Sequence, residues 1–195
     1  MKKNYKSTVN ACFAGYVVQA IVNNFVPLLF LTFNKSYGIE LSKITALITV
    51  NFILQLCIDL LSAFFIDKIG YRAAAVAAHV FAAAGLVSLT VLPEILPSPF
   101  VGLLISVVLY AVGGGLLEVI VSPIVEACPT DNKEKMMSLL HSFYCWGSVA
   151  VVGISTLYFS IFTTANWKYL ALIWAVVPIV NALNFVRVPI APLIE

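Results

Sequence analysis

The chain has 195 residues, 62% of them hydrophobic and only 10% charged, with a net charge of +2 and a mean hydropathy of +1.02. A soluble domain carries about 25% charged residues, so this sequence has too few polar side chains to cover a water-soluble core. The near-neutral balance, with no run of Lys or Arg, also excludes the basic footprint of a nucleic-acid-binding protein.

A bilayer-crossing helix needs ~20 mostly apolar residues. The sequence offers six such stretches, predicted at residues 9–33, 44–66, 73–92, 100–125, 137–162 and 169–188. This predicts an all-α integral membrane protein, with residues 1–195 forming one six-helix bundle and no soluble domain. The basic start, Met1-Lys2-Lys3-Asn4-Tyr5-Lys6, resembles the head of a signal peptide. The apolar stretch behind it is too long and lacks a small-residue cleavage site, so it reads as the first span. Between spans stand turn-forming segments: 34–42, Gly70-Tyr71, 93–99, 129–132 and 163–166.

Short loops on the cytoplasmic side are enriched in Lys and Arg. Lys2, Lys3, Lys6, Lys68, Arg72, Lys133, Lys135 and Arg187 fall on one side of the predicted bundle, and Lys35, Lys43 and Lys168 on the other. Both termini are therefore expected in the cytoplasm, in a cell-membrane protein. Runs of alanine and glycine (residues 73–75, 77–78, 82–85 and 113–115) predict close helix packing. Cys12, Cys57, Cys128 and Cys145 form no zinc-spaced cluster and read as small buried hydrophobes. No cofactor or metal site is expected. No nucleophile–base pair marks the chain as an enzyme, so no catalytic residue is assigned.

The residues that stand out are polar ones inside apolar spans. Asp59 in span two and Glu118 in span four each cost about 2.5–3.5 kcal/mol at the bilayer centre on insertion scales. Such groups face a bundle interior or an aqueous cavity, which makes both candidates for solute or proton handling. Asn51, Gln55 and Asp59 recur at i, i+4 and i+8 and so share one face of span two. Tyr16, Gln19, Asn23 and Asn24 lie nearly on one stripe of span one. Two such stripes suit sugar hydroxyls, which need paired donors and acceptors. They equally suit amides that join helices to each other.

In span four, Gly113-Gly114-Gly115 precede Glu118 and Pro123, a combination that allows a close crossing and a locally opened backbone beside an acid. In span five, Trp146 and Tyr144 are candidate platforms for the solute or bundle-packing rings, and His141 reads as an interfacial histidine bonded to a carbonyl, with a role at the solute as the alternative. His79 reads as a histidine bonded within the bundle. Trp167, beside Lys168, reads as an interfacial belt residue.

One loop carries a resemblance. Residues 63–72 read Ala-Phe-Phe-Ile-Asp-Lys-Ile-Gly-Tyr-Arg, which resembles the major facilitator superfamily signature G-x-x-x-D-[R/K]-x-G-[R/K]-[R/K]. Asp67, Lys68, Gly70 and Arg72 match in place, while Ala63 and Tyr71 depart from it. The resemblance implies a cytoplasmic gating loop at these four residues, with an ion pair locking the turn. Spans four and five are also similar to the fucose permease branch: a glycine-rich run, then Glu118, then Ser122-Pro123, then Ser142-Phe143 and Gly147, with Asn23-Asn24 in span one. That branch implies sugar and proton handling at Glu118. Together with the polar residues read within the spans, this predicts Asn23, Asn24, Gln55 and Trp146 as solute contacts and Asp59 as a second proton-handling group. Pro27 stands where the branch places a further acid, and span four has no arginine of the antiporter type.

Carriers of this family have twelve spans in two halves. The resemblance therefore implies the N-terminal half of a secondary transporter for a small polar solute such as a sugar, working by alternating access. Its expected partners are the lipid bilayer, the solute, and either a second six-helix half or a second copy of the chain. Exposed apolar surface on its inner face predicts self-association in detergent. The rival expectation is a non-transporting half-transporter fragment or membrane scaffold.

Overall fold

The computed structural model describes residues 5–192, except the side chain of Ala63. Lys2 and Lys3, counted above with the basic end, and the last three residues lie outside that range. The described chain is helical throughout, with no strand. Its helices are α1 (Lys6–Asn24), α2 (Phe30–Tyr37), α3 (Leu41–Ile69), α4 (Tyr71–Ile95), α5 (Pro99–Ala127), α6 (Lys133–Phe162) and α7 (Trp167–Arg187). Six helical segments are long and apolar enough to cross a membrane: Lys6–Tyr37, Leu41–Ser62, Tyr71–Ile95, Pro99–Ala127, Lys133–Phe162 and Thr164–Arg187. The chain is a multi-pass membrane protein.

The first span is longer than expected and is broken. Pro27 has no N–H to donate, and the backbone passes through a 3₁₀ turn at Val26–Leu29 before α2 resumes. There Leu28 N–H bonds Phe25 C=O at 3.1 Å, a tighter spacing than the α ladder uses. Gly38 ends α2 at φ 64°, a left-handed conformation that glycine adopts without steric cost. Gly70, at φ 82° and ψ 146°, forms the whole link between α3 and α4. At the start of α6, Asn132 Oδ1 accepts from Lys135 N–H at 2.8 Å and caps the helix.

Helix α4 lies between α5 and α7, while α1 meets α5, α6 and α7, and α3 packs on α5. Small residues set the closest crossings. A Cβ on Gly85 of α4 would stand 2.5 Å from Tyr110 N of α5, and one on Gly113 of α5 would stand 2.5 Å from Ala78 O of α4. The helices therefore meet backbone to backbone, where short-range dispersion is strongest. His79, fully buried, is locked into this packing. Its Nδ1–H donates to Ala75 C=O at 2.7 Å, and its Nε2 accepts from Asn181 Nδ2 at 2.8 Å. Asn181 also donates to Ala11 C=O at 2.9 Å, so one network joins α1, α4 and α7.

Two expectations about the ends of the bundle are corrected. Trp167 does not face lipid. It is 3% exposed, edge-on to Phe33 with ring centroids 5.3 Å apart, because the turn at 163–166 tucks the start of α7 against α2. Lys168 beside it pairs with Glu94 at 2.6 Å, and Glu94 accepts from Tyr37 O–H at 2.8 Å, tying three spans together at that end. At the opposite end, no ion pair forms between Asp67 and Arg72. The Arg72 Nη1 instead donates to Phe185 C=O at 2.7 Å and Val186 C=O at 2.8 Å.

The last carbonyls of a helix lack intrahelical donors and carry the negative end of its dipole, so they compete well for a guanidinium. Arg72 thus braces α7 within this bundle. Arg72→Gln is expected to lower stability by on the order of 1 kcal/mol, with Arg72→Lys losing less because its ammonium keeps a positive charge and donors for the carbonyls, though without the guanidinium fork. Thermal melting of the purified chain checks this, and an unchanged midpoint would count against the brace.

Candidate functional site

A cavity of about 510 Å³ opens among α1, α3, α5 and α6. Its polar lining falls into two tiers by depth. Counted from the helix ends near Arg72 at 1.5 Å per residue, Tyr16, Asp59, Glu118 and His141 lie roughly 12–15 Å deep. Gln19, Asn23 and Gln55 lie roughly 20–25 Å deep, near the middle of helices of this length.

The deeper tier is a closed amide network. Asn23 Oδ1 accepts from Gln55 Nε2 at 2.7 Å and from Asn51 Nδ2 at 3.1 Å, and Gln55 Nε2 also donates to Asn51 Oδ1 at 3.0 Å. Asn23 Nδ2 donates to the Tyr144 hydroxyl at 3.2 Å, which joins α6 to the group. Asn51 is 4% exposed and stands behind the lining, holding the two amides in front of it. Gln19 links the tiers, its Nε2 donating to Glu118 Oε2 at 3.1 Å, and in the acidic tier the Tyr16 and Ser122 hydroxyls are 3.0 Å apart. Phe52, Leu56, Tyr144 and Cys145 complete the wall.

Helix geometry explains this grouping. Asn51, Gln55 and Asp59 do share a face, as their spacing predicts, and Gly114 and Gly115 let α5 approach it. A Cβ on Gly115 would stand 2.9 Å from Ile58 Cβ, and one on Gly114 would stand 3.1 Å from Gln55 Nε2. Removing these side chains brings Glu118 to the same opening as Asp59.

Of the residues singled out from sequence, Asn23, Gln55, Asp59 and Glu118 line this cavity. Asn24 does not. It turns to the α1–α6 joint, where its Nδ2 donates to Ala20 C=O at 2.8 Å and to Ser148 Oγ at 3.1 Å. Trp146 is 72% exposed and lies outside the lining, about 200° around α6 from Tyr144. Asp67, Lys68, Gly70 and Arg72 stand together at the α3–α4 link, well away from the cavity. Tyr16 and Gln19 of the span-one stripe, and His141 and Tyr144 of span five, also line the cavity, though none was assigned as a site residue; Cys145 had been read as a small buried hydrophobe. The usable signal was the i, i+3, i+4 or i+7 spacing that puts His141, Tyr144 and Cys145, or Tyr16, Gln19 and Asn23, on one helix face.

The sequence model of the Major Facilitator Superfamily matches residues 11–193. The chain belongs to the major facilitator superfamily. Its fold is that of half of one of the superfamily's transporters. The inward-open xylose transporter XylE from E. coli superposes with a TM-score of 0.83 at 15% identity, covering 97% of this chain and 49% of that one. The proton:xylose symporter XylE bound to 6-bromo-6-deoxy-D-glucose gives 0.80 at 13% identity, covering 95% and 45%. A D-xylose-proton symporter gives 0.78 at 17% identity, covering 95% and 48%. At such identities the likeness is one of fold. The chain spans about half the length of these superfamily structures. No curated protein matches it by sequence.

Proposed function

We propose that this major facilitator superfamily chain is the N-terminal six-helix half of a secondary transporter that moves a small polar solute, a sugar, across the cell membrane. Both termini face the cytoplasm in this reading, and the solute is handled by alternating access, with proton coupling through Glu118 and Asp59. The observation that carries it is the cavity: amides and hydroxyls gathered at mid-depth, two carboxylates beside them, all opening from one side of the bundle. Beyond their mutual bonds, Asn23 keeps a second Nδ2–H and Gln55 its Oε1, a donor and an acceptor of the kind sugar hydroxyls require, and Phe52 and Tyr144 give apolar walls. The matched structures include a symporter described with a sugar analogue bound, which supports a sugar over other polar solutes.

The open side also supports a partner. Only 22% of the α3 span window and 17% of the α6 window are buried, against 44–61% for the other four. These two helices flank the cavity, so a second half, or a second copy, would close it. In superfamily carriers the site lies between two such bundles, as midplane sites between repeats generally do. The gating role of Asp67, Lys68, Gly70 and Arg72 stays part of this proposal, with Arg72 acting through α7. The rival is a half that transports nothing without its partner, which the half-length coverage favours.

Uptake of labelled sugars into liposomes separates the two: import by the chain alone rules out the rival, and import only with a second six-span half supports it. The expected result is saturable uptake, from the chain alone or together with a second six-span half, that weakens in Asn23→Ala by about 1–3 kcal/mol of apparent affinity. If neither preparation imports any sugar when inserted correctly, the sugar-carrier reading fails.

A further inference from the structure

We infer that the cavity selects solutes by charge: it admits molecules without negative charge that offer hydroxyl or amine donors, and it rejects sugar acids and phosphorylated sugars. The inference rests on the transport reading for its biological sense, but its physical basis is independent of it. All nine described Lys and Arg residues sit in the first or last turn of a helix, at the two ends of the bundle. Arg72 is committed to the end of α7 and Lys168 to Glu94.

No lysine or arginine lines the cavity, whereas the two acids that lie deep within helices, Asp59 on α3 and Glu118 on α5, both do. The titratable groups facing them are Tyr16 from α1 and His141, Tyr144 and Cys145 from α6; α4 and α7 contribute none to the lining. Glu118 accepts one amide hydrogen bond from Gln19, and the amides of Asn23 and Gln55 are engaged with each other and with Asn51. A recess with two carboxylates, no lysine or arginine and low-dielectric walls focuses a negative potential. An anion entering it is repelled and finds no partner for its charge.

The molecule carries its own reporter. Cys145 is a free, exposed thiol in the cavity wall. Cys57 is the other exposed cysteine, and Cys12 and Cys128 are buried, so Cys57→Ser leaves Cys145 as the accessible thiol. The purified full chain in neutral detergent at low ionic strength is reacted with two thiosulfonates, one bearing a quaternary ammonium and one a sulfonate. Each rate is divided by that of a free small thiol.

The expected normalised preference for the cationic reagent is about tenfold or more, falling to within about twofold of the free thiol when Asp59→Asn and Glu118→Gln are combined. Added salt should shrink the preference as well. A wild-type chain with no cationic preference overturns the inference, even if the double variant proves unstable. So does a preference that the two substitutions leave unchanged.

Liposome uptake provides the second arm. Import of a neutral sugar without import of its uronic acid supports the inference, and equal import of both overturns it. If no sugar enters at all, the transport reading falls while the reagent ratio still decides the charge inference.

Discussion

Replacing Gly113 by valine is expected to prevent stable packing of α5 on α4. A Cβ at this position stands 2.5 Å from Ala78 O and 2.7 Å from Ala82 N, and both are backbone atoms that no rotamer change can move aside. Ala78 and Ala82 are themselves fully buried, so α4 has no room to retreat without parting from α7 and α1. The cost should reach the upper end of the overpacking range, about 3 kcal/mol, a large fraction of the stability of a domain this size. Gly153 of α6 is the control. Nothing lies within 4 Å of its Cβ position, so Gly153→Ala should be neutral or slightly stabilising through helix propensity alone. Thermal melting and size-exclusion profiles of the two variants decide it. A Gly113→Val chain that melts with the wild type would mean that the tight α4–α5 crossing does not exist in the membrane protein.

The contrast shows which parts of this molecule were open to reading from the sequence. The six spans announce themselves because lipid demands long apolar runs, and the alanines and glycines within them mark where helices touch. Helix ends are less legible. Residues 34–37 and 133–135 are polar, so a hydropathy reading stops before the backbone does, and only local chemistry such as the Asn132 cap places the true end. The break near Pro27 was signalled by the proline, yet a hydropathy window passes over it.

In the cavity, Asp59, Glu118, Asn23 and Gln55 were visible because each is costly in lipid and needs a reason to be there. Trp146 was less tractable. Trp146 is the bulkier ring, but the His141–Tyr144–Cys145 spacing sets the phase of α6, and it puts Tyr144 on the cavity face and Trp146 about 200° away. The expected partner of Arg72 failed differently: the loop pattern names the residue, but its acceptors, the carbonyls of residues 185 and 186, lie more than a hundred positions away and carry no side-chain signature.

Glu118→Gln should abolish proton-driven accumulation of solute while sparing solute exchange. The substitution is nearly isosteric, and the amide oxygen remains available to Gln19 Nε2, which donates to Glu118 at 3.1 Å. What is lost is the charge and the ability to carry a proton. If one proton moves with each solute, a gradient of one pH unit sustains about tenfold accumulation, because each unit is worth 1.36 kcal/mol. Without a titrating group at this position the solute should only equilibrate across the membrane.

Exchange of internal unlabelled for external labelled sugar needs no net proton movement, so it should continue, with weakened affinity if Glu118 also touches a hydroxyl. The measurement is paired uptake and exchange, with and without an imposed pH gradient, in whichever assembly proves competent for transport. Asp59→Asn serves as the parallel variant, since Asp59 occupies the same tier on α3. If accumulation survives in Glu118→Gln and fails in Asp59→Asn, the coupling acid lies on α3, and the glycine run that brings α5 to the cavity serves solute binding alone. If it survives in both, the two carboxylates tune the charge of the cavity without carrying the proton, and the coupling group either is His141, which faces them, or lies outside these six spans.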